Sequence, residues 1–457
     1  METPSYTIRD PIHGLVDLNE KEVKLINTKA FQRLRRIRQL AMAFLVYPGT
    51  LHTRFDHSIG VMHIAGRICS RLMQLEPGKI TEVDRQRIRL AALLHDIGHG
   101  PFSHVSEHLL ESYTPKGKTG AVREKIHEKV TVDIINTDAE IRAILTDKES
   151  EFVVNMIRGE LKRRDFRRDI VSSDLDADKL DYLLRDSYFA GVKYGTYDLD
   201  KIIESCRVFS KGQESYLAIS DEGIYALEQL LLAKHHMTQQ VYRHKVRSIS
   251  DAMIVRGISL AIRDGNQEIK ALYEYDGTPA FIETYVEYHD ERLIDVLKRC
   301  EQEKANEIFN RLYERRLFKR ICELPLKDRE VPDGHTRERL SKMVDEDRQE
   351  WEDKIANSLG IDRDLVIVNR VQIRNPNYGS RSYSLSQEQI WILDEKQGYP
   401  KKLIDYPTEL VTTRSSPHEI AETVEVYAPQ DHWRNLSLAD RKAAQLEAEV
   451  RDLLLSA

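Results

Sequence analysis

The chain has only four cysteines in 457 residues (Cys69, Cys206, Cys300, Cys322), and they are widely separated. With no C-x-x-C pair, neither a zinc knuckle nor a disulfide framework is indicated, and a reducing compartment is expected. No apolar run approaches the ~20 residues that a bilayer span requires. No signal-like segment opens the sequence, so a cytoplasmic protein without membrane contact is expected. No G-x-x-x-x-G-K-[ST] loop is present, which argues against a Walker-type phosphate mechanism. Net charge is −6, from 69 Lys and Arg against 75 Asp and Glu, which argues against a protein that coats nucleic acid. No internal repeat or low-complexity segment stands out.

The composition is 41% apolar and 32% charged, that of a globular protein large enough for two or three domains. Tyr6 to Gly14 carries Pro and Gly turn signals, and Leu15-Val16-Asp17-Leu18 reads as a short strand. Helical patterning dominates from there to about residue 330. Val61, Ile64, Ala65, Ile68 and Leu72 make one apolar stripe over 56–73. A second helix over 84–95 stops at Gly98 and Gly100-Pro101. Residues 222–261 and 281–318 are also helical in pattern. The charged stretch 333–357 loosens it, and strand-like runs follow at 365–368, 389–393 and 424–427. A last helix over 437–455 takes Ser437 as its N-cap. The expected fold is mostly α: a helical core over 1–320 and a smaller α+β region over 321–457, with an oligomerisation or regulatory role for the latter.

The densest chemistry lies in Leu93-Leu94-His95-Asp96-Ile97-Gly98-His99-Gly100-Pro101-Phe102-Ser103-His104. A lone His-Asp pair is ordinarily structural. Three imidazoles and a carboxylate around one helix terminus are harder to assign to packing. Imidazole beside carboxylate suits a divalent metal, and further histidines could carry protons beside it. His57, at the start of the preceding helix, is the natural third ligand, and Asp178 the best acidic fourth. Two imidazoles and two carboxylates favour Mn, Fe, Zn or Ni, admit Mg, and disfavour a thiolate-seeking metal. Asp178, Tyr182, Arg185 and Asp186 share a helix face at i, i+4, i+7 and i+8. Lys234, Thr238, Tyr242 and Lys245 make a second polar face, opposite Leu230, Met237 and Val241. An aromatic hydroxyl with lysines at this spacing suits a sugar and its phosphates, although such faces are usually just solvated. His13 reads as part of the Pro/Gly turn, and His52, His63, His235 and His236 as packing.

Phe55-Asp56-His57-Ser58, the His95-to-His104 run and Asp176-x-Asp178-Lys179-x-Asp181-Tyr182 together resemble the HD superfamily of metal phosphohydrolases. Asp10-Pro11-Ile12-His13-Gly14, Phe31-Gln32-Arg33-Leu34-Arg35, Pro48-Gly49 and Tyr242-x-His244-Lys245-Val246 narrow the resemblance to its deoxynucleoside triphosphate triphosphohydrolase branch, the SAM-and-HD-domain type, without the SAM domain. The match covers roughly residues 6–320. It implies a helical fold with His57, His95, Asp96 and Asp178 on a divalent metal, and a second Mg accompanying the triphosphate. It implies hydrolysis of a dNTP at the α-phosphorus to deoxynucleoside and triphosphate. His99, His104 and His127 match catalytic positions, with His104 as proton donor to the leaving oxygen. Arg54, Lys179 and Lys234 match the triphosphate clamp. Gln39, Leu40, Tyr182, Asp186 and Tyr242 match the sugar pocket, with Thr238 at its rim.

The resemblance further implies a homotetramer regulated by a nucleotide effector, with Asn27, Gln32, Arg35 and Arg207 at the effector positions. Asn27 stands where an acid is expected. An amide offers one acceptor oxygen where a carboxylate can take two guanine N–H groups, so guanine activation is expected to be altered or lost. Lys234 replaces an arginine, which keeps charge but loses the bidentate fork, and Thr238 replaces a histidine. Two other functions stay open: an HD nuclease or phosphodiesterase using the basic run Lys162-Arg163-Arg164-x-x-Arg167-Arg168, and a non-enzymatic nucleotide sensor. The clamp residues favour a small triphosphate over a polymer, and the intact candidate ligands weigh against a sensor.

Overall fold

A computed structural model describes residues 6–114, 125–159, 163–373, 390–394, 399–405, 421–430 and 443–456. They form a mostly helical structure with small sheets, as the periodicity predicts. Two compact units emerge: one from Met1–His244, Ala271–Leu293 and Tyr383–Ser415, the other from Lys245–Lys270, Ile294–Ser382 and Ser416–Ala457. The boundary expected at 320 therefore falls inside the second unit.

The first unit opens on an antiparallel hairpin, Tyr6–Asp10 with Gly14–Leu18, whose turn holds His13. Its centre is helix Arg54–Leu75, which starts in a capping box between Thr53 and Asp56 and buries Ile59, Val61, Met62, Ile64, Ala65 and Ile68. Helix Glu82–Leu94, also boxed (Thr81 and Asp84), packs beside it. Helix Ala177–Ala190 crosses at Gly60, where a Cβ would stand 1.9 Å from Asp181 Oδ1 and 2.4 Å from the Arg185 guanidinium. Only glycine fits that crossing. The span expected as one helix over 222–261 is broken. Helix Ile224–Met237 passes into a π-turn at Thr238–Tyr242, and helix Lys245–Arg263 starts afresh. Thr238 Oγ1 bonds back to the Lys234 carbonyl at 2.7 Å, a competition with the helix ladder that favours such a break. A four-stranded sheet joins Cys206–Lys211, Glu214–Ser220, Trp391–Leu393 and Pro400–Lys402 in that order; of these, the third lies within the strand-like run expected at 389–393.

In the second unit, strand Ala421–Ala428 lies between Lys319–Pro325 and Ile367–Ile373, antiparallel to both. Leu446, Val450 and Leu454 of helix Ala443–Leu455 cover it at i, i+4 and i+8. Ser437 lies outside the described residues. The stretch 333–357, expected to be loose, is two helices, Gly334–Lys342 and Asp345–Leu359. The second buries Trp351, Ile355, Ala356 and Leu359, a stripe that the surrounding charge conceals. The 281–318 span is likewise several short helices rather than one. Helices Lys245–Arg263 and Glu303–Tyr313 join this unit because Gly257 lets Phe309 approach, a Cβ there meeting its ring at 2.6 Å.

Candidate metal and phosphate site

Three helix termini bring the predicted ligands together. His57 sits in the first turn of Arg54–Leu75, His95 at the C-cap of Glu82–Leu94, and Asp178 in the first turn of Ala177–Ala190, which Asp176 caps. His57 Nδ1 lies 2.8 Å from Asp181 Oδ2 and His95 Nδ1 2.8 Å from the Ala92 carbonyl oxygen. An acceptor at each Nδ1 assigns the N–H there and leaves Nε2 as a lone pair. Both Nε2 atoms are buried without a hydrogen-bond partner among the described residues. They face Asp178 Oδ1 at 3.0 and 3.9 Å, and the three ligand atoms lie within 4.8 Å of one another. Three acceptors converging in a buried spot call for a cation, and the N/N/O donor set fits a divalent transition metal.

Asp96 completes the set less simply. Its Oδ1 is 3.2 Å from His95 Nε2 and 3.3 Å from His99 Nε2; its Oδ2 is 3.7 Å from His57 Nε2 but 2.5 Å from Arg54 Nη1. Burial raises the carboxyl, yet Arg54, His95 and His99 together hold it well below the ordinary range. Burial also opposes charge on His57, but Asp178 and Asp181 outweigh it and hold its proton up to about 10. That pair of carboxylates demands positive charge at Nε2, whether a proton or a metal ion supplies it.

Asp181 is the functional residue that sequence reasoning did not single out. Fully buried, it accepts from His57 Nδ1, from His13 Nε2 at 2.6 Å and from Arg185 Nε and Nη2 at 2.8 Å each. Arg185 continues to Asp10 at 2.8 Å. His13 is thus more than a turn residue, and Arg185 belongs with Asp181 at i+4 rather than with Asp178. A carboxylate–imidazole pair of this kind orients a metal ligand and raises its basicity.

A second cluster lies along the same loop. His99, His104 and His127 each direct Nδ1 at Glu107 Oε1, at 2.7, 3.1 and 2.9 Å. His99 and His127 stack at 4.1 Å. Burial raises the Glu107 carboxyl, but the three imidazoles hold it well below its usual value, and burial pulls the His99 and His127 imidazoles down. The signal for Glu107 was available: it stands three residues after His104 on helix His104–Tyr113. Gly98 is required at the turn, since a Cβ would meet the Thr131 amide nitrogen at 2.3 Å.

Of the residues expected in a phosphate clamp and sugar pocket, Arg54 reaches the metal cluster through Asp96. Arg54 Nε donates to Ser103 Oγ at 2.9 Å while its Nη2 is buried without a partner among the described residues. Lys179 Nζ lies on Asp176 at 2.7 Å and on the Ser173 carbonyl at 2.8 Å. The Lys234 amine is buried without a described partner, and burial, with Lys179 beside it, pulls its pKa down to about 7. Asp186 accepts from the Tyr242 hydroxyl at 2.7 Å and meets His52 Nε2 at 2.7 Å. Tyr182 and Tyr242 pack at 6.3 Å, so the π-turn delivers Tyr242 to that pair. Leu40 is buried, and the Gln39 Oε1 atom is buried without a described partner. Thr238, tied to its own helix, is half-buried.

Of the expected effector residues, Gln32 and Arg35 stand together. Gln32 Nε2 donates to the Ile26 carbonyl at 2.8 Å, and Gln32 Oε1 accepts from Arg35 Nε at 3.0 Å. Asn27 C-caps helix Glu20–Ile26 close by in the chain. Arg207 is on strand Cys206–Lys211, its guanidinium on the carbonyls of Glu204 and Cys206. Two members of the basic run are ion-paired: Arg164 with Asp169 at 3.0 Å, and Arg167 with Asp165 at 2.5 Å and Asp84 at 2.9 Å. Lys162 lies outside the described residues.

A helical unit that gathers histidine and aspartate side chains at three helix ends has a donor set able to hold a divalent metal. The HD domain family model matches residues 54–186, and the HD associated region model matches residues 197–447. The chain therefore belongs to the HD-domain family and carries both the HD domain and its associated region. Among curated relatives, the uncharacterized protein MJ1154 of Methanocaldococcus jannaschii is 37% identical over 59% of this chain and 52% of its own length. The deoxynucleoside triphosphate triphosphohydrolase SAMHD1 homolog of Dictyostelium discoideum is 31% identical over 70% of this chain and 60% of its own. The Homo sapiens deoxynucleoside triphosphate triphosphohydrolase SAMHD1 is 29% identical over 69% of this chain and 55% of its own. The chain spans about half the length of the curated relatives it matches. No helix among the described residues is long and apolar enough to cross a membrane.

Proposed function

We propose that the chain hydrolyses deoxynucleoside triphosphates to deoxynucleoside and inorganic triphosphate. The observation that carries this reading is a set of buried polar atoms without partners among the described residues: His57 Nε2, His95 Nε2, Arg54 Nη2, Lys234 Nζ and Gln39 Oε1. Buried polar atoms are ordinarily satisfied, so such a set marks a ligand site. Two lone pairs suit a metal, two cations suit phosphate oxygens, and an amide suits a polar sugar or base edge. The triphosphohydrolase names of relatives near 30% identity point the same way.

A divalent metal held by His57, His95, Asp96 and Asp178 would polarise a phosphoryl oxygen and make water nucleophilic at neutral pH. A second Mg would accompany the triphosphate. Arg54, Lys179 and Lys234 balance the charge of the polyphosphate. His104, exposed and steadied by Glu107, protonates the leaving 5′-oxygen, while His99 and His127 hold Glu107 ionised. Asp186, fixed by His52 and Tyr242, accepts the sugar 3′-hydroxyl, and Tyr182, Leu40 and Gln39 close the pocket with Thr238 at its edge. A homotetramer in the cytoplasm, with altered response to a nucleotide at Asn27, Gln32, Arg35 and Arg207, completes the reading, and residues 321–457 serve assembly or regulation. The test is product chromatography after incubation with Mn²⁺ or Mg²⁺ and each dNTP, each rNTP and a single-stranded oligonucleotide. Deoxynucleoside plus triphosphate supports the reading; a shortened oligonucleotide beside untouched dNTPs overturns it. Strong acceleration of dNTP turnover by GTP or dGTP would overturn the altered effector response.

Lys234 adds a pH dependence. Its pKa of about 7 makes it a cation below neutrality and a neutral amine above. Triphosphate binding should weaken by on the order of tenfold as pH rises through neutrality, the worth of one charged hydrogen bond. Lys234→Arg should remove that limb from a plot of KM against pH. An unchanged limb in the variant would assign it elsewhere.

A further inference from the structure

The loop between the metal ligands and His104 is held in a conformation its own residues disfavour. Phe102 and Ser103 both have positive φ, 61° and 54°, and neither is glycine. Such backbone persists only where the surroundings over-determine it. Asp290, wholly buried, supplies the main constraint. Its Oδ1 accepts from the Phe102 amide at 2.8 Å, and its Oδ2 from the Arg38 amide at 3.0 Å. Ser103 Oγ closes the same bracket by donating to the Arg38 carbonyl at 2.8 Å while it accepts from Arg54 Nε at 2.9 Å. That hydroxyl makes no cap for the helix it precedes. The segment ahead of Asp290 adds two more ties. The Tyr285 hydroxyl donates to the Gly98 carbonyl at 3.1 Å. Arg33 bridges the Tyr288 carbonyl at 3.2 Å to those of Ile97 at 2.9 Å and His99 at 2.7 Å.

Tyr285, Tyr288 and Asp290 lie about 190 residues from the loop in sequence and beyond the HD domain match, which ends at residue 186. They fall within the match to the associated region, 197–447. The bracket therefore couples two stretches of the chain: Arg38, next to Gln39 and Leu40, and Ser103, next to His104.

We propose that Asp290 is a positioning residue for catalysis, holding the loop Gly98–Ser103 so that His104 meets the leaving oxygen. This rests on the proposed reading in which His104 is the proton donor. Asparagine at 290 keeps the shape and one acceptor but presents an NH₂ to the other amide, so one side of the bracket opens.

The test is a double-mutant cycle on the full chain with its metal bound. Asp290→Asn should keep metal content and leave KM for a dNTP within about threefold, while kcat falls about 10- to 100-fold, part of what general acid catalysis contributes. In the His104→Ala background the same change should cost less than about threefold, because its effect runs through His104. An equal cost in both backgrounds shows a merely structural role and overturns the proposal, as does wild-type kcat in Asp290→Asn. If Asp290→Asn does not fold, Ser103→Ala opens the other side of the same bracket and carries the same non-additivity with His104→Ala; additivity there overturns it equally. A parent protein that releases no triphosphate from any dNTP fails the functional reading, whereas a parent that releases it with an additive cycle fails only the positioning role.

Discussion

Replacing Asp178 by alanine removes bound metal and turnover together. Among the described residues, Asp178 Oδ1 is the one oxygen that faces both unpartnered Nε2 atoms, of His57 and His95. Without it, two buried lone pairs confront each other with only Asp96 beside them, and Asp96 is already engaged by Arg54 at 2.5 Å. Metal content by mass spectrometry should fall to background after dialysis. Turnover in excess Mn²⁺ should drop on the order of a thousandfold, the several kcal/mol that metal activation supplies. Asp96→Ala should give the same double loss and also release Arg54. Full activity with full metal content in either variant would remove that residue from the site.

Replacing Asp181 by alanine damages the fold and the site at once. The carboxylate is wholly buried, and it satisfies Arg185, which is equally buried, together with His13 and His57. Burial raises its carboxyl, but Arg185, His13 and His57 hold it ionised. Removing one partner of a buried ion pair leaves an uncompensated charge and costs about 3–5 kcal/mol. Loss of the acceptor on His57 Nδ1 should weaken metal binding a further ~10- to 100-fold. Thermal melts with and without added metal separate the two effects: the metal-free protein should already melt well below the parent, and metal should restore less of the difference. A variant that melts like the parent would show that Arg185 finds another partner, and Asp181 would then not be the hub of the network.

The candidate metal ligands were legible in the sequence because three of them lie near one another in the chain and the fourth, Asp178, opens a capped helix farther along. His95 and Asp96 are adjacent, His57 opens the preceding helix, and Asp178 opens a helix with its own Asp176 cap. What stayed hidden was everything decided by packing across distant segments. Asp181 stood in the sequence only as one acid of the Asp176-x-Asp178-Lys179-x-Asp181-Tyr182 run; its side chain is turned into the core beside Gly60, onto His57, His13 and Arg185. Asp290, in a short helix far along the chain, carries no local sign that its carboxylate reaches the Phe102 amide. Periodicity likewise overran the break at Thr238–Tyr242, since a π-turn disturbs the apolar stripe by a single residue. The charge of 333–357 masked a helix whose buried stripe is narrow. Asn27, Gln32 and Arg35 are close in sequence, and Gln32 and Arg35 bond to each other.

Isotope labelling tests the central claim most directly. The protein, loaded with Mn²⁺, is incubated with a dNTP in ¹⁸O-enriched water, and both products are examined by mass spectrometry. Attack of water at the α-phosphorus with His104 protonating the departing 5′-oxygen places the label in intact triphosphate and leaves the deoxynucleoside unlabelled. Label in inorganic phosphate or pyrophosphate, or a nucleotide product still carrying phosphate, would contradict the account.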